Sequence, residues 1–336
     1  MEVLFIGGTG TISYHCSKLA IARGFKVTLL NRGKSSLREP LPEAELVQAD
    51  VREPESVQEA LAGRHFDVVA DFLTFTPEQA GLMLNLFRGR TSQYIYISSA
   101  SAYQTPPETL PVTEETPLDN PVWQYSRDKA ASEARFMRAY RDEGFPVTIV
   151  RPSHTYDESY IPVTGRWTFV DRMLRGKPVI VYGDGTSIWT MTHSSDFAKG
   201  FVGLFGKAEA IGQAYHITSD EWQTWNQIVQ KLAEAVGTEA KIVHVPSDLI
   251  AQFDPEWGQG LLGDKAHSFI LDNSKIKALV PEFACTVPFR EGIARSVEFY
   301  RHHPQLQVID AKFNNTVDLI LHSYAKAWPH EVWWGK

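Results

Sequence analysis

Tyr125 and Lys129 stand four residues apart in the run Tyr125-Ser126-Arg127-Asp128-Lys129. On a helix, that spacing places both side chains on one face. An ammonium beside a phenol favours the phenolate and lowers its pKa. Such a tyrosine can take a proton from a hydroxyl or return one to a developing alkoxide. Upstream, the run Ile97-Ser98-Ser99-Ala100-Ser101 closes an apolar segment with three hydroxyls. A hydroxyl at Ser99 can hydrogen-bond the reacting oxygen. Tyr125, Lys129 and Ser99 are therefore the candidate catalytic residues, with Ser99 and Ser101 also on the substrate side.

A redox partner for this chemistry is written at the N-terminus. The apolar run Val3 to Ile6 meets Gly7, Gly8 and Gly10, and Thr11, Ile12 and Ser13 open an amphipathic stretch. Glycines let the backbone turn tightly and approach a ligand. The helix that follows offers free N–H groups and the positive end of its dipole to a phosphate. The pattern Gly7-x-x-Gly10-x-x-Ser13 keeps two of the three fingerprint glycines, so a dinucleotide cofactor is expected. An NAD-type site carries a carboxylate about 20 residues further on, against the ribose hydroxyls. Here the second apolar run ends in Leu30-Asn31-Arg32-Gly33-Lys34. Asn31 followed by two cations suits a 2′-phosphate, which a guanidinium binds bidentately. NADP is the expected cofactor, with NAD as the alternative. Asp50 and Val51 would meet the adenine edge, Phe72 would pass beneath the cofactor, and Ser98 would line it.

These residues need a scaffold that gathers them. Short apolar runs at Val3–Ile6, Lys26–Leu30, Glu45–Gln48, Asp67–Ala70, Tyr94–Ile97 and Val147–Val150 read as strands. Helical patterns lie between most of them, near 11–23, 53–62, 77–87 and 125–143. Strands alternating with helices predict right-handed crossovers and a parallel sheet. The expected fold is α/β: a Rossmann-type doubly wound parallel sheet with a smaller C-terminal α/β substrate-binding region. Residues 1–152 form the dinucleotide-binding domain, to which segments near 190–218 return. Residues 153–189 and 219–305 form the substrate region, and 306–336 a Trp-rich tail that docks on the body or on a partner subunit.

Composition bounds the function. With 43% hydrophobic and 22% charged residues, the chain is an ordinary globular protein. Its formal net charge of −7, without a basic stripe, argues against nucleic acid and against a membrane surface. Two cysteines, Cys16 and Cys285, make no disulfide framework and fit a cytoplasmic location. No cluster of His, Cys, Asp and Glu has metal-ligand spacing, so no metal is expected. His154 and His193 read as hydrogen-bonded structural residues.

Taken together, GGTGTIS, Asp50-Val51, ISSASAY, the Tyr125/Lys129 pair, Arg151-Pro152 and Thr192-His193-Ser194-Ser195-Asp196 resemble extended or atypical short-chain dehydrogenases/reductases of the NAD-dependent epimerase/dehydratase family. The resemblance spans roughly residues 1–300. It implies that Tyr125 is the acid/base, that Lys129 binds the nicotinamide ribose and tunes the tyrosine, that Ser99 positions the substrate oxygen, and that Arg151 belongs to the cofactor site. It also implies a homodimer through the tyrosine helix.

Two departures narrow the expectation. Family dehydratases place an Asp-Glu pair just after the catalytic Ser/Thr, whereas Ala100 and Ser101 stand here, so dehydration is disfavoured. Nucleotide-sugar members often grip the diphosphate with an arginine where this chain has Trp189, which could stack on a ring. Arg166 and Arg172 are alternative anion partners. The expected function is an NAD(P)-dependent oxidoreductase or epimerase (isomerase) moving hydride at a secondary alcohol or ketone of a sugar-like substrate, a nucleotide sugar included. The rival is a non-catalytic NADP-binding regulator or RNA-binding member.

Overall fold

A computed structural model describes residues 1–33 and 37–334. Six strands, β1 (Glu2–Ile6), β2 (Lys26–Asn31), β3 (Glu45–Gln48), β4 (Phe66–Asp71), β5 (Thr91–Ile97) and β6 (Val147–Arg151), are joined in one sheet by Ala214–His216. Every pairing in it is parallel, in the order Ala214–His216, β6, β5, β4, β1, β2, β3. The order reverses between β1 and β4, which opens a crevice at their carboxyl ends.

Strand alternation explains why both faces of the sheet are covered. Val3 and Phe5 join one apolar cluster with Phe197 and Phe201, while Leu4 and Ile6 join another with Met83 and Phe136. The helices α1 (Ser13–Ala22) and Ser194–Gly203 therefore pack on one face. The helices α3 (Pro77–Phe87) and α4 (Gln124–Glu143) pack on the other, and α2 (Pro54–Ala60) links β3 to β4. Gly144 ends α4 in the left-handed conformation, at φ 71°, where glycine is unstrained.

Residues beyond β6 build a second apolar core around Val179–Tyr182, which pairs in parallel with Ile242–Val245, and the helix Trp225–Val236. The helix Trp167–Leu174 and the strand Val179–Tyr182 are absent from the sequence reading. Gly165, Gly176, Gly183 and Gly185 suggested loops there, yet each falls outside the helix and the strand, in the turns between elements. The tail is partly helical. Ala311–Ala325 is a helix, capped by Asp310, that buries Val317, Ile320 and Leu321 against the second core. Trp334 packs there too, so the tail docks on the body. No helix among the described residues is long and apolar enough to cross a membrane.

Candidate active site

The turn after β1 uses its glycines in different ways. Gly7 and Gly8 have φ 109° and 54°, and a Cβ on Gly8 would lie 2.6 Å from Leu29 Cδ2. Gly10 has only Ser13 Oγ within 4 Å of its ideal Cβ, at 3.4 Å. Ser13, at the missing third glycine, accepts a hydrogen bond from Gly10 N at 2.9 Å. The backbone N–H groups of Thr11 and Ile12 have no partner among the described residues, so they are available to a phosphate.

This turn borders a cavity of about 570 Å³ lined by Gly7, Gly10, Thr11, Ile12, Asn31, Arg32, Asp50, Val51 and Phe72. The structure thus brings these expected residues together, while Lys34 lies outside the described residues. Asn31 Oδ1 accepts from Gly33 N at 2.8 Å and shapes the turn. Asp50 is clamped by Arg52 at 2.6 Å, with Arg32 at 4.0 Å, and the Arg52 hydrogen bonds hold its carboxyl well below the usual range. The sequence reading missed Arg38, Arg52, Phe75 and Gln79, which also line this cleft. Arg38 bonds Asp157, Ser159 Oγ, Thr9 O and Thr11 Oγ1 at once. That role depends on contacts made by folding, and no local motif marks it.

A second cavity, of about 580 Å³, is lined by Trp123, His154, Tyr160, Arg166, Trp225, Trp257 and Lys265, among others. Tyr125, Lys129 and Ser99 line neither cavity, but Tyr125 and Lys129 pack against residues of each. Lys129 Nζ lies 4.7 Å from the Phe75 ring on the cleft side and 5.9 Å from the Tyr125 ring. Tyr125 in turn packs on Trp123, ring centroids 4.9 Å apart, on the chamber side. Ser99 hydrogen-bonds Tyr125.

The electrostatics differ from the sequence expectation. Burial pushes the Tyr125 phenol up to about 12, the Ser99 hydrogen bond opposes the rise, and the Asp264 carboxylate adds to it. Lys129 does not depress the phenol. Its ammonium donates to Thr74 O at 2.7 Å and to Ile97 O at 2.8 Å. Burial lowers Lys129 to about 8, against the pull of Asp71 and Glu133. Two of its three hydrogens are committed to carbonyls, which leaves one for a ligand.

Several other expectations are corrected. Arg151 does not reach the cleft: its guanidinium bonds Glu133 at 2.6 Å and the Tyr103 hydroxyl at 2.6 Å inside the core. The Ser98 hydroxyl is buried, without a hydrogen-bond partner among the described residues. Ser101 is buried, with its Oγ 2.9 Å from Ser99 Oγ, and so braces Ser99. Trp189 sits behind the chamber wall, between Trp225 and Phe269 at 5.8 and 6.2 Å. It is buried in the second core. Arg172 is buried against Asp318 at 2.7 Å, whereas Arg166 does face the chamber. His193 caps the helix Ser194–Gly203, as a structural residue should. His154 instead lines the chamber, and its ring has no hydrogen-bond partner among the described residues. Burial and then Lys265 lower it to about 3, which keeps it neutral.

A glycine turn, a cleft at the switch point and a Ser/Tyr/Lys seam now stand together. The profile of the NAD dependent epimerase/dehydratase family matches residues 3–218. The chain belongs to this family. Among similar proteins, the chloroplast stem-loop binding protein of 41 kDa b from Arabidopsis thaliana is 29% identical over 72% of this chain, and the match spans 65% of that protein's length. The dTDP-glucose 4,6-dehydratase of an Actinoplanes species is 27% identical over 90% of this chain and 98% of its own. The fold matches that of the UDP-glucose 4-epimerase from Bifidobacterium longum, solved with NAD+ and UDP, at TM-score 0.73 and 20% identity over 90% of this chain and 99% of that one.

Proposed function

We propose that this family member is an NADP-preferring oxidoreductase or epimerase acting on a secondary alcohol or ketone of a sugar-like substrate. The observation that carries the reading is the seam itself. Ser99 and Tyr125 meet where a dinucleotide-sized cleft adjoins a separate chamber. A nicotinamide dinucleotide, when bound, supplies hydride exchange. Gly7, Gly10 and the free N–H groups of Thr11 and Ile12 would hold its phosphates. In the reducing direction, Tyr125, protonated across the physiological range, gives its proton to the substrate oxygen while Ser99 holds that oxygen. In the oxidising direction the Tyr125 phenolate accepts that proton from the substrate hydroxyl while Ser99 holds the same oxygen.

The NADP preference rests on Arg32, whose side chain is 54% exposed and whose nearest carboxylate oxygen is 4.0 Å away. Dehydration remains disfavoured, although a dehydratase is among the relatives. Ala100 and Ser101 are buried, and neither offers an ionisable group for elimination. The proposal includes a cytoplasmic location, since Cys16 and Cys285 are free thiols, and a homodimer.

The test is Tyr125→Phe, assayed by transfer of label from 4-deuterated NADPH to keto-sugar probes. Label transfer should be abolished while NADPH affinity stays unchanged. Full transfer in that variant would sink the assignment. The rival reading, a regulatory or RNA-binding protein, expects no transfer in the wild type and salt-sensitive retention of RNA on a filter.

A further inference from the structure

Asp71, the last residue of β4, and Lys129 of α4 are both buried, at 0% and 2% exposure. A buried charge is costly unless another compensates it. The other carboxylate that pulls on Lys129 is Glu133, and the Arg151 guanidinium already holds it. Asp71 is not held in this way. Its hydrogen bonds among the described residues all come from neutral donors. Oδ1 accepts from Leu73 N at 2.9 Å and from Thr74 N at 3.1 Å, and Oδ2 accepts from the Tyr94 hydroxyl at 2.7 Å. Both oxygens act only as acceptors, as those of a carboxylate do.

Lys129 is the mirror image. Its acceptors, Thr74 O and Ile97 O, are neutral carbonyls. The rings of Phe75, Tyr96 and Tyr125 stand 4.7, 4.9 and 5.9 Å from its ammonium. Thr74 bridges the two charges: its N–H donates to Asp71 and its carbonyl accepts from Lys129. The Asp71 carboxylate thus shapes the turn that carries Leu73 and Phe75 into the lining of the cleft. The charge of Lys129 decides what it can offer there. An ammonium has three hydrogens, whereas a neutral amine has two. Thr74 O and Ile97 O take two. The third, free for a ligand, exists only while Lys129 is charged. Burial works against that charge, and Asp71 works for it.

We propose that Asp71 is a positioning residue that acts through Lys129: it is the buried counter-charge, one residue away across Thr74, that keeps the third hydrogen on the ammonium for a bound dinucleotide. This rests on reading the cleft as the dinucleotide site. The other titratable groups that face the pair are Tyr94 and Tyr96 of β5 and Tyr125 of α4, and burial keeps all three protonated. Glu133 of α4 stays with Arg151 of β6. The buried residues of α3 are uncharged, and β1 sets Ile6 beside Asp71.

The first arm of the test needs no cofactor. Denaturant titrations between pH 6 and 10 compare the wild type with Lys129→Met. Relative to that variant, wild-type stability should begin to rise near pH 8, where folded Lys129 loses the proton that the unfolded chain keeps. Asp71→Asn retains an acceptor for the turn and removes the charge. Its rise, measured against Asp71→Asn/Lys129→Met, should begin at least about one pH unit lower. The second arm follows NADPH affinity by fluorescence titration. Wild-type affinity should fall as the pH is raised through about 8. In Asp71→Asn the fall should come at least about one unit lower, which makes binding about threefold weaker at pH 7.5. An unmoved onset in Asp71→Asn, or a pH-independent NADPH affinity in the wild type, would overturn the proposal. If Asp71→Asn alone does not fold, Asp71→Asn/Lys129→Met should, because no uncompensated charge remains, and its failure to fold would overturn the proposal too. A lowered onset with no NADPH binding at any pH would uphold the counter-charge and sink only the reading of the cleft.

Discussion

Alanine substitutions at Gly8 and Gly10, two residues apart in one turn, should fail in different ways. At Gly8 the backbone is left-handed and the new methyl would lie 2.6 Å from Leu29 Cδ2 and 3.2 Å from Phe5 Cβ. The left-handed conformation costs about 1–2 kcal/mol for a residue with a Cβ. Overpacking adds roughly 1–3 kcal/mol, and the stiffer unfolded chain returns about 0.4–1 kcal/mol. A net loss of roughly 1–5 kcal/mol corresponds to a fall in melting temperature on the order of 2–10 °C for a chain of this size. At Gly10 the φ is ordinary and only Ser13 Oγ approaches, at 3.4 Å. Gly10→Ala should therefore melt like the wild type. Its methyl would face the phosphate path and should cost at least about tenfold in NADPH affinity, roughly 1.4 kcal/mol. Thermal denaturation and fluorescence titration read the two effects separately. Wild-type NADPH affinity in Gly10→Ala, or an unchanged melt in Gly8→Ala, would refute the division of labour in this turn.

Arg32→Ala should lower NADPH affinity about tenfold or more and leave NADH affinity nearly unchanged, as isothermal calorimetry can show. Lys129 has a second, pH-dependent signature. Its folded pKa of about 8 lies below the ordinary 10.5, so between those values the unfolded chain binds the extra proton and stability rises with pH. Lys129→Met should remove that rise, worth at most about 3 kcal/mol, in the difference between denaturant titrations at pH 7.5 and 10. Glu133→Ala strands the buried Arg151 guanidinium and should cost about 3–5 kcal/mol. NADPH affinity of the folded protein should stay unchanged, since Arg151 is part of the core.

The sheet was legible because each of its first six strands is a short apolar run punctuated by glycine or by a helix signal. α3 is the clearest case: Thr76 and Gln79 form a capping box and Pro77 opens the helix. The cofactor cleft was legible for the same reason, since its residues follow strand ends in order. The chamber was not. Trp123, His154, Arg166, Trp225, Trp257 and Lys265 lie on segments that only tertiary packing gathers, and no spacing rule links them. The acidity of Tyr125 was misjudged because a pair at i and i+4 says nothing of depth. Burial outweighs the lysine, whose ammonium is turned to Thr74 O and Ile97 O.

The cleft and the chamber have no lining residue in common. Under the proposed function, a sugar could be exchanged from the chamber while the dinucleotide stays seated in the cleft. Such an arrangement would suit an enzyme that lends a hydride and takes it back, and it would make cofactor residence time and substrate traffic independently adjustable. Mutations at the chamber mouth could then speed product escape without loosening the cofactor. Isotope retained on the cofactor over many turnovers would measure how far this chain uses that freedom.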